Sequence, residues 1–376
     1  MLEHFIITRF SYPDPRAPDW ARRSTRRVTA PHKTIRGGFW SHMPLDLLEP
    51  ANLEHRFRMF EISCLPSMLA QTDQDFTWVL VVDRDLPRTY RDKLARLISA
   101  RKKNLVIEFE PANDIRYLTW LEPYLARRPE YVATTLLDDD DVLFRDFVAY
   151  IKDQVRETKD IQPVKIFGSF EALQWDLFTS RAAPLGYIKR WSRRVRTAAG
   201  ARRFPVASGF TLLCKYPEYQ YTVLRLVHAW GEFYFRNHSE TEGVTPAAVQ
   251  DFRAELARDA DRNGDRAERW NNADGFHAIA GDGPHVVLIN HFMNVELERL
   301  FEHPRDRTPV TETAFPQSLA VDMVAAGKYA RFYDRSWMHY WEVLRTQIRS
   351  IPPSPWRALK IVRRAMLLAV GFLRLR

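Results

Sequence analysis

The stretch that most constrains this chain is residues 131–148, YVATTLLDDDDVLFRDFV. An apolar, β-branched run from Tyr131 to Leu137 stops on four consecutive carboxylates, Asp138, Asp139, Asp140 and Asp141. The run reads as a buried strand. Beyond it, Phe144, Phe147, Val148, Ile151 and Val155 recur at helical spacing, which predicts a helix. Adjacent acids raise one another's pKa, and a divalent cation relieves that repulsion. The carboxyl end of a strand in an open α/β sheet is also where such folds bind their ligands. One or two acids would suffice to face the positive start of the next helix; four point to a metal or phosphate-linked site.

The chain's 376 residues are enough for a large core, and 45% apolar with 27% charged residues describes an ordinary folded protein. Its two cysteines, Cys64 and Cys214, give no disulfide framework and fit a reducing compartment. The opening MLEHFIITRF lacks the pattern of a signal peptide. No run approaches the ~18–20 apolar residues of a membrane span. The expectation is a cytoplasmic protein, with contact at the inner face of the cytoplasmic membrane. A net charge of +9 calls for an anionic partner.

Residues 5–10, FIITRF, read as the first strand. Residues 11–51 are rich in proline and arginine without a clean period, an irregular excursion. Residues 52–72 turn helical, with Phe57, Phe60, Cys64, Leu65 and Met68 on one face and Pro66 as an irregularity. Strands follow at 76–82 and 105–109, a basic amphipathic helix at 88–102, and a further helix at 114–127; the run into Asp138 is the fourth strand. This alternation predicts a mostly parallel α/β sheet flanked by helices. Later, strands are expected at 164–170, 206–215 and 285–290, a turn-rich patch at 271–284, and helices at 218–235, 246–258, 314–326 and 337–349.

The segment CLPSMLAQTDQDFTWVLVVDRDLP, residues 64–87, resembles the start of nucleotide-sugar glycosyltransferases of the GT-A fold, in which a helix ending in Gln-Thr precedes a strand ending in aspartate. LDDDD at 137–141 stands where that fold carries its DxD motif. FIITRF, the CLPSMLAQTDQDFTW block and a late histidine–asparagine element, His291 and Asn294, are similar to the rhamnosyltransferase family of bacterial polysaccharide synthesis. The likeness extends in blocks over residues 5–301. It implies a glycosyltransferase unit over 1–310, with a nucleotide-sugar half (1–156) and an acceptor half (157–310), followed by a helical, basic extension over 311–376.

The resemblance also implies roles. Asp140 and Asp141 would hold Mn²⁺ or Mg²⁺ with His291 as a further ligand, while Asp138 and Asp139 join Thr8, Arg9 and Asp83 around the nucleotide sugar. Asp138 with Asp140, and Asp139 with Asp141, each form a DxD pair, and the sequence leaves the register open. Asp83 has a plainer reading as a cap of the turn before Pro87. Inverting transfer needs a carboxylate base near the acceptor hydroxyl. Asp274, in the NNADGFH patch, is the candidate, beside Asp176, Glu171 and Asp282, with His277 competing.

Two basic stretches bear on partners. Residues 180–205 contain eight cations and no acid, a solvated face or a contact for an anionic acceptor or diphosphate. The tail 356–376 carries six cations among leucines, valines and isoleucine, which suits either a docked helix or one lying on an anionic membrane. The partners expected are therefore a nucleotide-sugar donor, a glycan or lipid-linked acceptor and an anionic membrane at 356–376, with no nucleic acid. Two other classes fit parts of the pattern: a metal-dependent phosphodiester hydrolase acting on nucleic acid, and a non-catalytic binder of anionic surfaces.

Overall fold

The computed structural model describes residues 1–12, 48, 50–99, 104–109, 111, 115, 117–125, 128–157, 164–169, 171–177, 185–191, 193–197, 200–204, 206, 208–218, 220–224, 276–278, 285–290, 308–310 and 319–328. Along the chain these form β1 (Leu2–Phe10), α1 (Pro50–Ile62), α2 (Cys64–Leu69), β2 (Thr77–Val82), α3 (Arg88–Ser99), β3 (Leu105–Phe109), β4 (Tyr131–Asp138), β5 (Val142–Leu143), α4 (Phe147–Glu157), β6 (Val164–Gly168), β7 (Ala172–Asp176), β8 (Tyr187–Trp191), β9 (Arg193–Thr197), β10 (Gly200–Phe204), β11 (Thr211–Lys215), β12 (Phe276–Ala278), β13 (Val286–Asn290) and β14 (Thr308–Pro309).

The expected mostly parallel sheet is present. Its seven strands lie in the order β12-β6-β11-β4-β1-β2-β3, and β1 to β4 are mutually parallel. β11 runs antiparallel between β4 and β6, and β12 adds parallel to β6. Residues beyond 157 thus complete the sheet that the first half begins. A second sheet, β14-β8-β7-β13-β5, starts from the two residues directly after the acids, Val142 and Leu143. Among the described residues, β9 and β10 pair only with each other.

Both faces of the main sheet are covered, as near-continuous apolar strands require. In β1, Ile6 and Phe10 point to one face with Trp78, Leu80 and Val82, where Leu53, Phe57 and Phe60 of α1 and Phe147, Val148 and Ile151 of α4 pack. Phe5 and Ile7 point the other way with Val79 and Val81, against Ile115, Leu118, Trp120 and Leu121. No described helix is long and apolar enough to cross a membrane.

One expectation is corrected, the irregularity expected at Pro66 is present, and the basic stretch takes a definite form. The helix expected over 114–127 is, where described, two short 3₁₀ turns, Leu118–Trp120 and Glu122–Tyr124. Pro123 has no amide to continue a helical ladder, and the Leu118 amide donates instead to Gln220 O at 2.9 Å. Residues 52–72 form two helices that break at Ser63. Pro66 cannot donate to Ile62 O, four residues back, and that carbonyl accepts from Asp322 N at 2.9 Å instead. The 180–205 stretch holds three strands, β8, β9 and β10. Of the two helices expected after β11, 246–258 lies outside the described residues, and 218–222 is non-helical where described; 337–349 and 356–376 also lie outside.

Just before β11, in the segment VASGF (206–210), Gly209 has φ +79°. A Cβ there would sit 2.6 Å from Val286 Cγ2 and 3.3 Å from the Phe147 ring. Gly209→Ala combines left-handed strain with a clash between β13 and α4, so it is expected to cost ~2–3 kcal/mol. Urea unfolding checks this; a loss under ~0.5 kcal/mol, the range of a neutral surface change, contradicts it.

Candidate active site

β4 delivers the four acids to the carboxyl edge of the parallel strands, where Arg9 of β1 is in register with Asp138. There the acids divide. Asp139 and Asp141 turn inward, 3% and 6% exposed, while Asp138 and Asp140 stay partly exposed. Asp139 accepts from Arg56 Nη1 on both oxygens, at 2.7 and 2.9 Å, and from the Ser11 amide at 3.2 Å. Asp141 accepts from the Ser208 hydroxyl and, at 3.1 Å, from the Ile289 amide of β13. The turn itself is closed by the Asp141 amide on Asp138 O at 3.2 Å, and the Ser63 hydroxyl donates to Asp140 O at 3.1 Å.

Each inward acid is therefore a tie. Asp139 joins α1 and the end of β1 to the cluster. Asp141 joins the main sheet to the second sheet through β13, two residues before His291. The Gln-Thr pair supports the same turn from behind. Gln71 Nε2 donates to Phe144 O at 2.8 Å, Gln71 Oε1 accepts from the Val148 amide at 3.2 Å, and the Thr72 amide reaches Arg145 O at 2.7 Å. Lys152 of α4, 5% exposed, adds ion pairs to Asp73 at 2.9 Å and Asp75 at 3.1 Å. The CLPSMLAQTDQD block is thus a buttress that fixes where α4 starts.

The electrostatics follow from this crowding. Desolvation, opposed by Arg9, pushes Asp138 up to about 6, with Asp140 and Asp139 adding to the rise. Arg9 Nη2 lies 3.9 Å from Asp138 Oδ1. Burial also raises Asp139 in spite of Arg56, and raises Asp141 well above the usual carboxylate range, with Asp140 and Asp138 contributing. Arg56 is in turn held more firmly protonated by the acids around it, against the effect of its own burial.

The remaining expected residues are distributed as follows. Thr8 is fully buried, and its hydroxyl accepts from Trp78 Nε1 at 3.0 Å, so this side chain is engaged inside the sheet. Asp83 ends β2 partly exposed, and its Oδ1 accepts from the Asp85 amide at 2.8 Å, which is the turn-capping role. Asp176, 1% exposed, accepts from Gln174 Nε2 at 2.8 Å and pairs in register with Asn290, one residue before His291. Glu171 is partly buried beside Ser169, whose hydroxyl donates to Glu171 O. His277 lies in β12, opposite Phe167. β12 begins opposite Ile166 and so, through Leu212, level with Thr134, four residues short of Asp138 and three strands away. Asp274, Asp282, His291 and Asn294 lie outside the described residues.

Sequence reasoning missed Arg56 and Ser208. Arg56 had a faint signal, a cation on the Leu53–Phe57–Phe60 stripe of α1. Ser208 directly precedes Gly209, and a glycine inside a strand pattern is the one sequence signal of a close approach there.

A carboxyl whose pKa is raised by folding binds more protons folded than unfolded, so its stabilising effect is complete below about 4 and is lost as pH climbs through about 6. His4, lowered to about 3 by burial, acts in the opposite direction over an overlapping range, so only a difference between variants isolates Asp138. Asp138→Asn is expected to stabilise the metal-free protein at pH 7.5 by ~1 kcal/mol after solvent screening, and to match wild type near pH 4. Urea unfolding at both pH values reads this out. A difference that is equal at both, or larger in acid, contradicts it.

Three comparisons bear on this geometry. Residues 3–166 match the family model described as "Putative rhamnosyl transferase", a stretch from β1 through the acid cluster into β6. No curated protein matches the chain. Among solved structures, S. aureus TarS 1–349 is similar at 11% identity, covering 76% of this chain and 60% of that one, with a TM-score of 0.29. The same protein in complex with UDP-GlcNAc is similar at 9% identity, covering 77% and 59%, with a TM-score of 0.27. The glycosyltransferase GlyE of Streptococcus pneumoniae TIGR4 is similar at 8% identity, covering 89% and 64%, with a TM-score of 0.29. This chain spans less than two thirds of each of these solved chains.

Proposed function

We propose that this chain is a glycosyltransferase that moves a sugar from a nucleotide-sugar donor to a glycan or lipid-linked acceptor, with Mn²⁺ or Mg²⁺ held by Asp138 and Asp140. The carrying observation is the division of the acid cluster. Asp139 and Asp141 are committed to internal ties, whereas Asp138 and Asp140 stay partly exposed at the carboxyl edge of the sheet. Among the described residues no three His, Cys, Asp or Glu side chains form a metal-holding group. Two carboxylates fit a hard cation that completes its shell with substrate phosphate and water. Such a cation would neutralise the charge developing on the departing diphosphate.

The chain's own groups have parts to play around that centre. Arg9, beside Asp138, supplies a fixed positive charge at the same edge. His291 follows β13, whose Ile289 amide is tied to Asp141, and is the candidate third ligand. For removing the acceptor proton, Asp176 is the candidate among the described residues, because it ends β7 in register with Asn290 of β13, the strand whose Ile289 amide is tied to Asp141. Rhamnose as the transferred sugar is supported by the family description over residues 3–166. Contact with an anionic membrane through 356–376 belongs to the same proposal and is supported by the charge of that tail.

Calorimetric binding of UDP-, GDP- and dTDP-sugars, with Mn²⁺ and with EDTA, tests the reading. One nucleotide class is expected to bind with the cation and not with EDTA, and Asp140→Ala is expected to weaken binding by ~100-fold or more. Binding that ignores the cation, or no nucleotide-sugar binding at all, contradicts it.

A further inference from the structure

We propose that the β9–β10 ribbon is a phosphate-recognising surface that holds an anionic acceptor chain, one that carries phosphate groups along its length. The word acceptor rests on the transferase reading above; the surface and its ligand chemistry do not. The ribbon lies beyond the 3–166 stretch that matches the family model.

Charge is the first observation. Residues 177–217 contain nine cations and no aspartate or glutamate, as many positive charges as the whole chain's net +9. Within β9 and β10 the cations are Arg193, Arg194, Arg196, Arg202 and Arg203, with no lysine. A guanidinium is a planar fork that matches phosphate bidentately, whereas an ammonium is a point charge. Each of the five therefore offers an oxyanion a fork and not a point charge.

Register is the second. Arg194 sits directly opposite Arg203, and Val195 opposite Arg202. Like charges directly opposite each other destabilise a strand pair, and a two-stranded ribbon with no further strand among the described residues is marginal to begin with. Both costs fall when an anion lies across the ribbon. Arg194 and Arg196 occupy alternate positions of one strand, ~7 Å apart, so a repeating anion would meet a repeating cation.

Placement is the third. β8 runs into β9 with one residue between them, and Trp191 is in register with Ala172. At the other end, the Val206 amide donates to Ser169 O at 2.8 Å. Both feet of the ribbon therefore rest on residues 169–172. Ser208, whose hydroxyl bonds Asp141, is four residues past Phe204, which limits the gap between ribbon and acid cluster to ~14 Å. A polyanion on the ribbon would present its end to the site that transfers the sugar.

The test uses the full chain as wild type, as Arg194→Gln/Arg203→Gln and as Arg194→Lys/Arg203→Lys. Each is titrated at several salt concentrations with inorganic polyphosphate, with single-stranded DNA of equal charge, and with phosphatidylglycerol–phosphatidylcholine vesicles; thermal unfolding is recorded on the same samples. Wild type is expected to bind polyphosphate more tightly than DNA or vesicles. The glutamine pair should weaken it by ~10-fold or more at low salt and flatten the slope of log K against log salt by about 1.4, two contacts at ~0.7 each. The lysine pair, which keeps charge and fold but loses the fork, should keep the slope and lose affinity. Wild-type affinity and slope in both pairs overturn the proposal. So does DNA or vesicle binding that equals polyphosphate binding and depends on the same arginines, since the surface then serves nucleic acid or lipid. Donor binding separates the two readings: arginine-dependent polyphosphate binding without any nucleotide-sugar binding keeps the surface and removes only its role as acceptor site.

Discussion

The arrangement at the end of β4 depends on a buried ion pair. Asp139 is almost fully enclosed, and burial disfavours its charged form. The bidentate Arg56 contact and the Ser11 amide offset that cost. Removing one partner of such a pair leaves an uncompensated charge, which is far more destabilising than the pair is stabilising. The consequence is geometric. With Asp139 fixed to α1 and Asp141 fixed to Ser208 and β13, the positions of Asp138 and Asp140 are set by the scaffold and not by their own rotamers. A cation site needs that kind of support, because ligating carboxylates left to themselves repel.

The same ties join the two sheets. Asp141 reaches the Ile289 amide, so the strand that leads to His291 is held to the acid turn by the acid turn itself. Gln71 and Thr72 hold the other side of the turn through Phe144, Arg145 and Val148. Site and fold are therefore coupled. A change in Gln71 should disturb the placement of Asp138 and Asp140 without touching either.

Much of the sheet was legible in the sequence, because β1, β2 and β4 are short apolar runs ending in charged residues and β3 is a similar run, all separated by helical or irregular stretches. Periodicity reports local burial, and these elements are governed by it. It failed at 114–127, where Ile115, Leu118 and Leu121 do pack as a helical stripe would, but Pro123 and the bond from Leu118 to Gln220 O divert the backbone. It also failed on the roles within DDDD. Which acids turn inward is decided by Arg56, Ser208 and Ile289, between 67 and 148 residues away in sequence, and no local pattern encodes that. The burial of Thr8 is set in the same way, since Trp78 on the neighbouring strand claims its hydroxyl.

The division of the four acids into two ties and two ligands is the central claim, and single Asp→Asn replacements at 138, 139, 140 and 141 test it most directly. Each variant is measured twice, for unfolding free energy without metal and for Mn²⁺ affinity by calorimetry with nucleoside diphosphate present. The Asp139→Asn variant, deprived of its ion pair, should lose ~2–3 kcal/mol of stability, while replacement at 138 or 140 should leave stability equal to or above wild type and reduce Mn²⁺ affinity by ~10-fold or more. Affinity lost at 139 or 141 in proteins of wild-type stability, with affinity intact at 138 and 140, would contradict the division.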